Sequence, residues 1–249
     1  MPASIKSGRV VIDGEGMAVS VNRSWQVPPA PKSRPVARFK SMAPIAPKHG
    51  DGSGNTFIAA LSKHDAFWLG FEAFGKRSYA VIIYLDGRCA FTGCRRQTDA
   101  LTYDPRNFIV VPDQPWFDCI IDRSGSYRQL VPSFASQGAA TGRVTVTEIR
   151  SVIYSLDGQA IQSFLPEPDG GVPLYSNEGG NSRARNTVHA WPCREVNRKF
   201  LPSKPHIKLT FLLIDPKLFG EITGIQLPAE MFEDVEGTPP LPHNPFGVP

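Results

Sequence analysis

The sequence predicts an all-β protein, an antiparallel sandwich or barrel of about eight to ten strands. Three observations carry that expectation. The apolar runs are short and rich in β-branched residues, as in Tyr79–Leu85 and Ile207–Ile214, too short for a core helix and right for buried strands. The chain holds 24 prolines and 22 glycines among 249 residues, more than the ordinary usage of about 5% and 7%, and these suit a chain with many turns. Windows rich in Ala, Leu, Glu and Lys, the mark of helical proteins, are nearly absent.

Taken in order, residues 9–21 (RVVIDGEGMAVSV) predict a hairpin around Asp13-Gly14-Glu15-Gly16, since Asp-Gly favours tight turns. Six prolines then fall between Pro28 and Pro47, ahead of a Gly/Ser-rich end. That composition predicts an extended arm or linker over residues 24–55 without regular hydrogen bonding. The main β domain is expected over 56–227. Phe57–Leu61 fits a short helix capped by Asn55 or a strand, and Phe67–Phe74 a strand in which Gly70 marks a bulge or a close approach. Tyr79–Leu85 reads as a fully buried strand turned by Asp86-Gly87 into Arg88–Thr92, followed by a polar connection over 93–107. Arg143–Ile149 alternates with Val144 and Val146 on one face and Thr145 and Thr147 on the other. Val152–Leu156, Asp157-Gly158 and Ala160–Leu165 predict a further hairpin. Residues 166–205 are a long polar loop, and Ile207–Ile214 a strong late strand. Asp215-Pro216 opens one helical turn, with Asp215 as N-cap and Pro216 first in the helix. Residues 228–249 form an acidic, Pro-rich tail, and no fixed-period repeat is present.

The stretch that organises the chain is residues 108–131, FIVVPDQPWFDCIIDRSGSYRQLV. It reads strand, corner, strand, Gly turn, strand. Pro112 and Pro115 fix their own φ and push the preceding residues towards extended geometry, so the corner is stiff. Trp116, between Asp113 and Asp118, needs a pocket and a partner for its N–H.

This stretch resembles the signature of a family of uncharacterised bacterial and fungal proteins, which typically show VVPDQPWLDGI followed by a Gly turn and VRQFVAMP. Val110 to Asp118 match closely, Cys119 stands where the family has Gly, and Arg128, Gln129 and Val131 match the second half. Tyr79–Gly93 is similar to that family's strand ending in a GG-N-A-x-S-G turn, and Asp215–Gly220 to its T-P-x-x-L-G-L segment. The resemblance spans roughly residues 67–225 and implies a family but no particular activity, so no catalytic residue is carried over.

The net charge of +4 is too small to argue for nucleic acid. Its distribution says more: residues 1–50 carry eight Lys or Arg against Asp13 and Glu15, whereas residues 228–249 carry Glu230, Glu233, Asp234 and Glu236 and no Lys or Arg. These read first as two solvated termini, and alternatively as a basic arm and acidic tail that could attract each other within one molecule or between neighbours. No run approaches 18 apolar residues, so no membrane span is expected. The four cysteines have no CxxC spacing and read as reduced, mostly buried thiols in a cytoplasmic protein.

Candidate chemistry is sparse. Cys119 could act as a nucleophile with His64 or His189, although a buried, inert thiol is the expected reading. His189 and Cys193 lie four apart without further ligands, and Asp51–Asn55 lacks the Gly and Glu of a calcium loop, so no metal or other cofactor is expected. Asp86, Asp113, Asp118 and Asp122 include possible acid/base pairs, but Asp is also a turn residue. Arg183, Arg185, Arg194, Arg198 and Lys199, interleaved with Tyr175 and Trp191, compose a basic loop that reads first as a solvated loop or the partner of the acidic tail, and next as a contact for a protein partner. The same composition suits single-stranded nucleic acid, which is not the expected ligand.

The leading expectation is a non-enzymatic binding or self-assembling protein that uses its arm, its tail and loop 166–205 for partner contacts, with Trp116, Tyr175, Arg183, Arg185, Trp191 and Arg194 as binding residues. Self-association or another protein is the expected partner. The alternatives are a hydrolase using Asp113, Asp118 and His189, and a carbohydrate-binding module stacking sugars on Trp68, Trp116, Trp191 and Tyr175.

Overall fold

A computed structural model describes residues 3–12, 14, 16–26, 39–48, 54–95, 98–103, 106–121, 127–133, 144–146, 148–156, 161–162, 187–188, 195–196 and 202–231. The N-terminal strands are β1 (Ala3–Lys6), β2 (Arg9–Ile12) and β3 (Met17–Trp25), then β4 (Phe39–Met42), β5 (Ile45–Pro47), β6 (Thr56–Ala60) and β7 (Asp65–Ala73). The central ones are β8 (Ser78–Leu85), β9 (Arg88–Cys89), β10 (Ile109–Val111), β11 (Trp116–Phe117), β12 (Cys119–Ile121) and β13 (Tyr127–Pro132). They are followed by β14 (Val144–Val146), β15 (Glu148–Leu156), β16 (Ile161–Gln162), β17 (Thr187–Val188), β18 (Glu195–Val196) and β19 (Ile207–Ile214). One helix, α1 (Pro216–Thr223), and a 3₁₀ turn at Ala229–Met231 close the described chain.

The result is an all-β sandwich. The first sheet runs β1-β2-β3-β7-β13-β12-β17, with β4 on β3, β11 on β7 and β14 on β13; the second runs β10-β8-β15-β19-β6-β5, with β9 on β8. Strand segments outnumber the expected eight to ten because several are only two or three residues long. Most pairs are antiparallel, but β6 with β19 and β13 with β14 are parallel. Val19, Val21, Phe67, Leu69 and Phe71 of the first sheet share one buried cluster with Val81, Ile83, Ile153, Leu209 and Phe211 of the second. This is the core of the sandwich.

Local chemistry explains most of the strands. The expected hairpin at residues 9–21 is present, with Ile12 opposite Met17. Ser7-Gly8, both at positive φ, adds β1 ahead of it, and Asp86-Gly87, also both positive, turns β8 into β9. Two successive left-handed residues are what a tight hairpin needs. β8 is buried at all eight positions, as its unbroken apolar run predicts. One of its faces is covered by the supposedly polar connection 93–107: Tyr84 donates to Thr98 O at 2.9 Å, Tyr154 donates to Asp99 O, and Lys208 pairs with Asp99 at 2.6 Å. Phe57–Leu61 resolves as strand β6. Asp215 caps α1 by accepting from Lys217 N at 2.8 Å, with Pro216 first in the helix, and α1 runs for eight residues instead of one turn.

Three expectations are corrected. The region 24–55, read as free of regular hydrogen bonding, contributes β4 to the first sheet and β5 to the second, since apolar residues around its prolines still find strand partners. Arg143–Ile149 is not one strand: β14 pairs with β13 in the first sheet and β15 begins at Glu148 in the second, so the chain changes sheets between them. β16 pairs with β18 rather than folding back on β15.

One ionic cluster ties β3, β4 and β7 together. Asp65, fully buried, accepts from Arg23 Nε at 2.8 Å, Lys40 Nζ at 2.7 Å and Ser62 N at 2.9 Å. Lys40 also lies 3.8 Å over the Trp25 ring. Removing the carboxylate strands two poorly solvated cations. Asp65→Asn is therefore expected to cost roughly 3–5 kcal/mol in urea denaturation, and a loss below about 1 kcal/mol would contradict this account. The Ser151 Oγ, fully buried and level with Ile83 and Leu209, has no hydrogen-bond partner among the described residues. Ser151→Ala is expected to leave stability unchanged or raise it by about 1 kcal/mol in the same assay.

Candidate functional site

Strand parity builds the site. β3 and β7 pair without interruption from Met17↔Ala73 to Trp25↔Asp65. Their odd residues, among them Val19, Val21, Leu69 and Phe71, enter the core. Their even residues must then point to the opposite face. Two rows cross that face: Met42, Asn22 and Trp68 in one, and Ser20, Gly70 and Trp116 in the next. With Arg9, Glu72, Phe71 and Pro115, these residues line a groove of about 450 Å³, within the range of roughly 300–1,000 Å³ typical of small-ligand sites.

The floor is polar and the walls are aromatic. Ser20 is 8% exposed and Asn22 3%, and Asn22 Nδ2 donates to Ser20 Oγ at 2.9 Å. The Ser20 hydroxyl thus accepts here and keeps its own proton for another acceptor. Gly70 is the close-approach point that the sequence offered beside a bulge; the continuous register rules the bulge out. A Cβ there would lie 2.5 Å from Ser20 Oγ, 3.1 Å from Asn22 Nδ2 and 3.3 Å from Trp68 Cζ3. The missing side chain lets the Trp68 indole lie over the strand beside the Ser20–Asn22 pair. Trp116 stands directly across from Gly70, on the other side from Ser20. At the rim, Arg9 Nη1 meets Glu72 Oε2 at 2.6 Å, with the side chains 38% and 43% exposed. Such a solvated pair adds about 0–1 kcal/mol to stability, but it offers planar donors and acceptors to anything in the groove.

The proline corner aims Trp116. β10 belongs to the second sheet and β11 to the first, so Pro112–Pro115 is the crossing between them. The Val111–Pro112 peptide is cis. Gln114, buried, donates from its backbone to Val110 O at 2.7 Å and from Nε2 to Trp116 O at 3.3 Å, and Pro115 O accepts from Phe71 N at 2.8 Å. The crossing is thereby pinned to β7 immediately before the tryptophan.

No family model, curated protein or solved structure matches the chain.

Among the residues singled out from sequence, Trp116 and Trp68 are brought together in the groove. Asp113 and Asp118 are half-buried beside the corner and do not line it. Cys119 is buried on β12 opposite Gln129, while His64 is exposed in the turn before β7. Asp86 holds its turn by accepting from Glu148 N at 2.9 Å. His189, Tyr175, Arg183, Arg185, Trp191 and Arg194 lie outside the described residues, as do Asp122, Cys193, most of loop 166–205 and the tail from residue 232. Among the described residues, no three His, Cys, Asp or Glu side chains are grouped as a metal site would require. A second cavity of about 470 Å³ lies between β5, β6, β19 and α1, but its walls are aliphatic (Ile58, Ile214, Ile222, Ile225), with Lys48 and Thr223 as its polar side chains.

Sequence reasoning missed Ser20, Asn22, Gly70 and Glu72 as one site. The signal was present as a period of two in MAVSVNRSW and FWLGFEAF, but only the β3–β7 register places the two polar rows side by side.

Gly70→Ala is expected to cost about 1–3 kcal/mol, because Ser20, Asn22 and Trp68 must all move. The same change in a Ser20→Ala background should cost at least about 0.5 kcal/mol less, since the closest atom is gone. A thermodynamic cycle showing simple additivity would contradict the geometry.

Proposed function

We propose that this chain is a non-enzymatic binding protein whose recognition surface is the tryptophan-lined groove on the outer face of its first sheet. The observation that carries the reading is the placement of two indoles, Trp68 and Trp116, on the solvent side of the sheet around a side-chain-free floor at Gly70. Large aromatic surfaces flanking a few convergent polar groups are the usual composition of a ligand site. Ser20 and Asn22 supply those groups, already oriented by their mutual hydrogen bond.

Catalysis fits the described site less well. Its one carboxylate, Glu72, is held by Arg9, and neither Asp113 nor Asp118 reaches the groove lining. A hydrolytic pair needs two carboxyl groups facing one substrate. The binding reading also retains the expectation that this protein acts by holding a partner, while moving the contact from the arm and tail to the sheet face.

A thermal-shift screen with ring-containing small molecules tests it. Compounds that stabilise the full chain are expected to lose that effect in Trp116→Ala and to keep it in Asp113→Asn. Stabilisation by ligand follows mass action, so a shift of about 2–3 kcal/mol needs ligand near a hundred times its Kd. Hits that survive Trp116→Ala and vanish in Asp113→Asn would overturn the reading in favour of chemistry at the corner.

A further inference from the structure

We infer that the groove takes a neutral sugar ring, lying against the Trp116 face with its hydroxyls directed to Ser20, Asn22 and the Arg9–Glu72 pair; this rests on the reading of the groove as a ligand site. Four features of the site lead there.

The aromatic walls come first. An indole face is electron-rich and attracts weakly positive C–H groups as well as other rings. A pyranose offers one face of C–H bonds and a periphery of hydroxyls, so it matches a surface with an indole on one side and polar atoms on the other.

The polar complement comes next. Every sugar hydroxyl both donates and accepts. The groove offers both kinds of group: the Ser20 hydroxyl, the Asn22 amide, the Arg9 guanidinium and the Glu72 carboxylate. The last two are planar and two-pronged, a shape suited to adjacent hydroxyls. A purely aromatic ligand would leave these groups without new partners, which costs affinity.

Charge narrows the class further. Arg9 and Glu72 are the charged side chains in the lining, and they neutralise one another at 2.6 Å. A phosphate or carboxylate ligand would meet the Glu72 carboxylate beside Arg9 and so gain no net opposite charge. Nucleotides and acidic ligands are therefore disfavoured against a neutral polyol.

Topology disfavours a peptide added along β3 or β7. An extended peptide binds by adding to an open strand edge. β3 is paired on both sides, by β7 along its length and by β2 and β4 in turn, and β7 is flanked by β3 on one side and by β11 and β13 on the other. The floor of the groove lies on the face of these two strands, neither of which offers a free main-chain edge there.

The test is a titration of the full chain with soluble cellohexaose, xylohexaose, maltoheptaose and chitohexaose, alongside adenosine, AMP and benzoate, followed by calorimetry and tryptophan fluorescence. At least one oligosaccharide is expected to bind, with affinity changing less than about twofold up to ~1 M NaCl because no net charge is engaged. Trp116→Ala is expected to weaken it at least tenfold and Trp116→Phe to recover part of the loss, which controls for a folding defect. If adenosine, AMP or benzoate binds in a Trp116-dependent way and no oligosaccharide does, the sugar assignment fails while the groove remains a binding site. If an oligosaccharide binds Trp116→Ala as well as the natural chain, or no probe of any class binds, both fail together.

Discussion

The nine-residue pairing of β3 with β7 is the constraint on which the rest of the molecule depends. A strand pair of that length without a bulge fixes the parity of every side chain along it. One slip of register would send Val19, Val21, Leu69 and Phe71 to solvent and bring Ser20, Asn22 and Glu72 into the core. The hydrophobic cost of that exchange pins the register, and the register in turn places Ser20 opposite Gly70 and Asn22 opposite Trp68. The floor of the groove is thus a by-product of core formation, to which β2, β4 and β11 add Arg9, Met42 and Trp116.

Two crossings between sheets complete the frame. At Pro112–Pro115 the chain leaves the second sheet, and the hydrogen bond from Phe71 N to Pro115 O brings it down on β7 one residue ahead of Trp116. Between Val146 and Glu148 it passes back from the first sheet to the second. The Asp65 cluster performs a similar fastening at the far end of β3 and β7, where Arg23 and Lys40 converge on one buried carboxylate. The groove therefore sits on a strand pair fastened at both ends, the kind of support that the proposed binding role calls for.

Much of this fold was legible in the residues, for local reasons. Asp86-Gly87 announced its hairpin because two adjacent residues had to adopt positive φ. Tyr79–Leu85 announced burial because no polar residue interrupts it. Asp215-Pro216 announced a helix start because its capping chemistry is contained in a few neighbouring residues. What escaped was non-local. Val144–Val146 and Glu148–Leu156 read as continuous alternation, and nothing in the alternation says that two sheets share it. Ala46 and Ile58, which pack in one cluster, looked like an arm and a domain because prolines mask an apolar period of so few residues. The site shows the same division. Trp116 stood out as a large ring beside a stiff corner, and Gly70 as a bulge or close approach only in the sense that glycine permits either. Their juxtaposition required the β7–β11 pairing, which rests on two residue pairs.

The proposed binding reading rests on the same geometry. The corner carboxylates Asp113 and Asp118 sit beside the groove lining, whereas the indoles line it, so the corner serves the site by presenting Trp116. The most direct check is the indole N–H region of a two-dimensional NMR spectrum recorded while a bound oligosaccharide is titrated in. The account requires the Trp68 and Trp116 signals to move together and saturate, with Trp25, engaged by Lys40, staying in place. Movement confined to Trp25 or Trp191, with Trp68 and Trp116 unmoved, would contradict it.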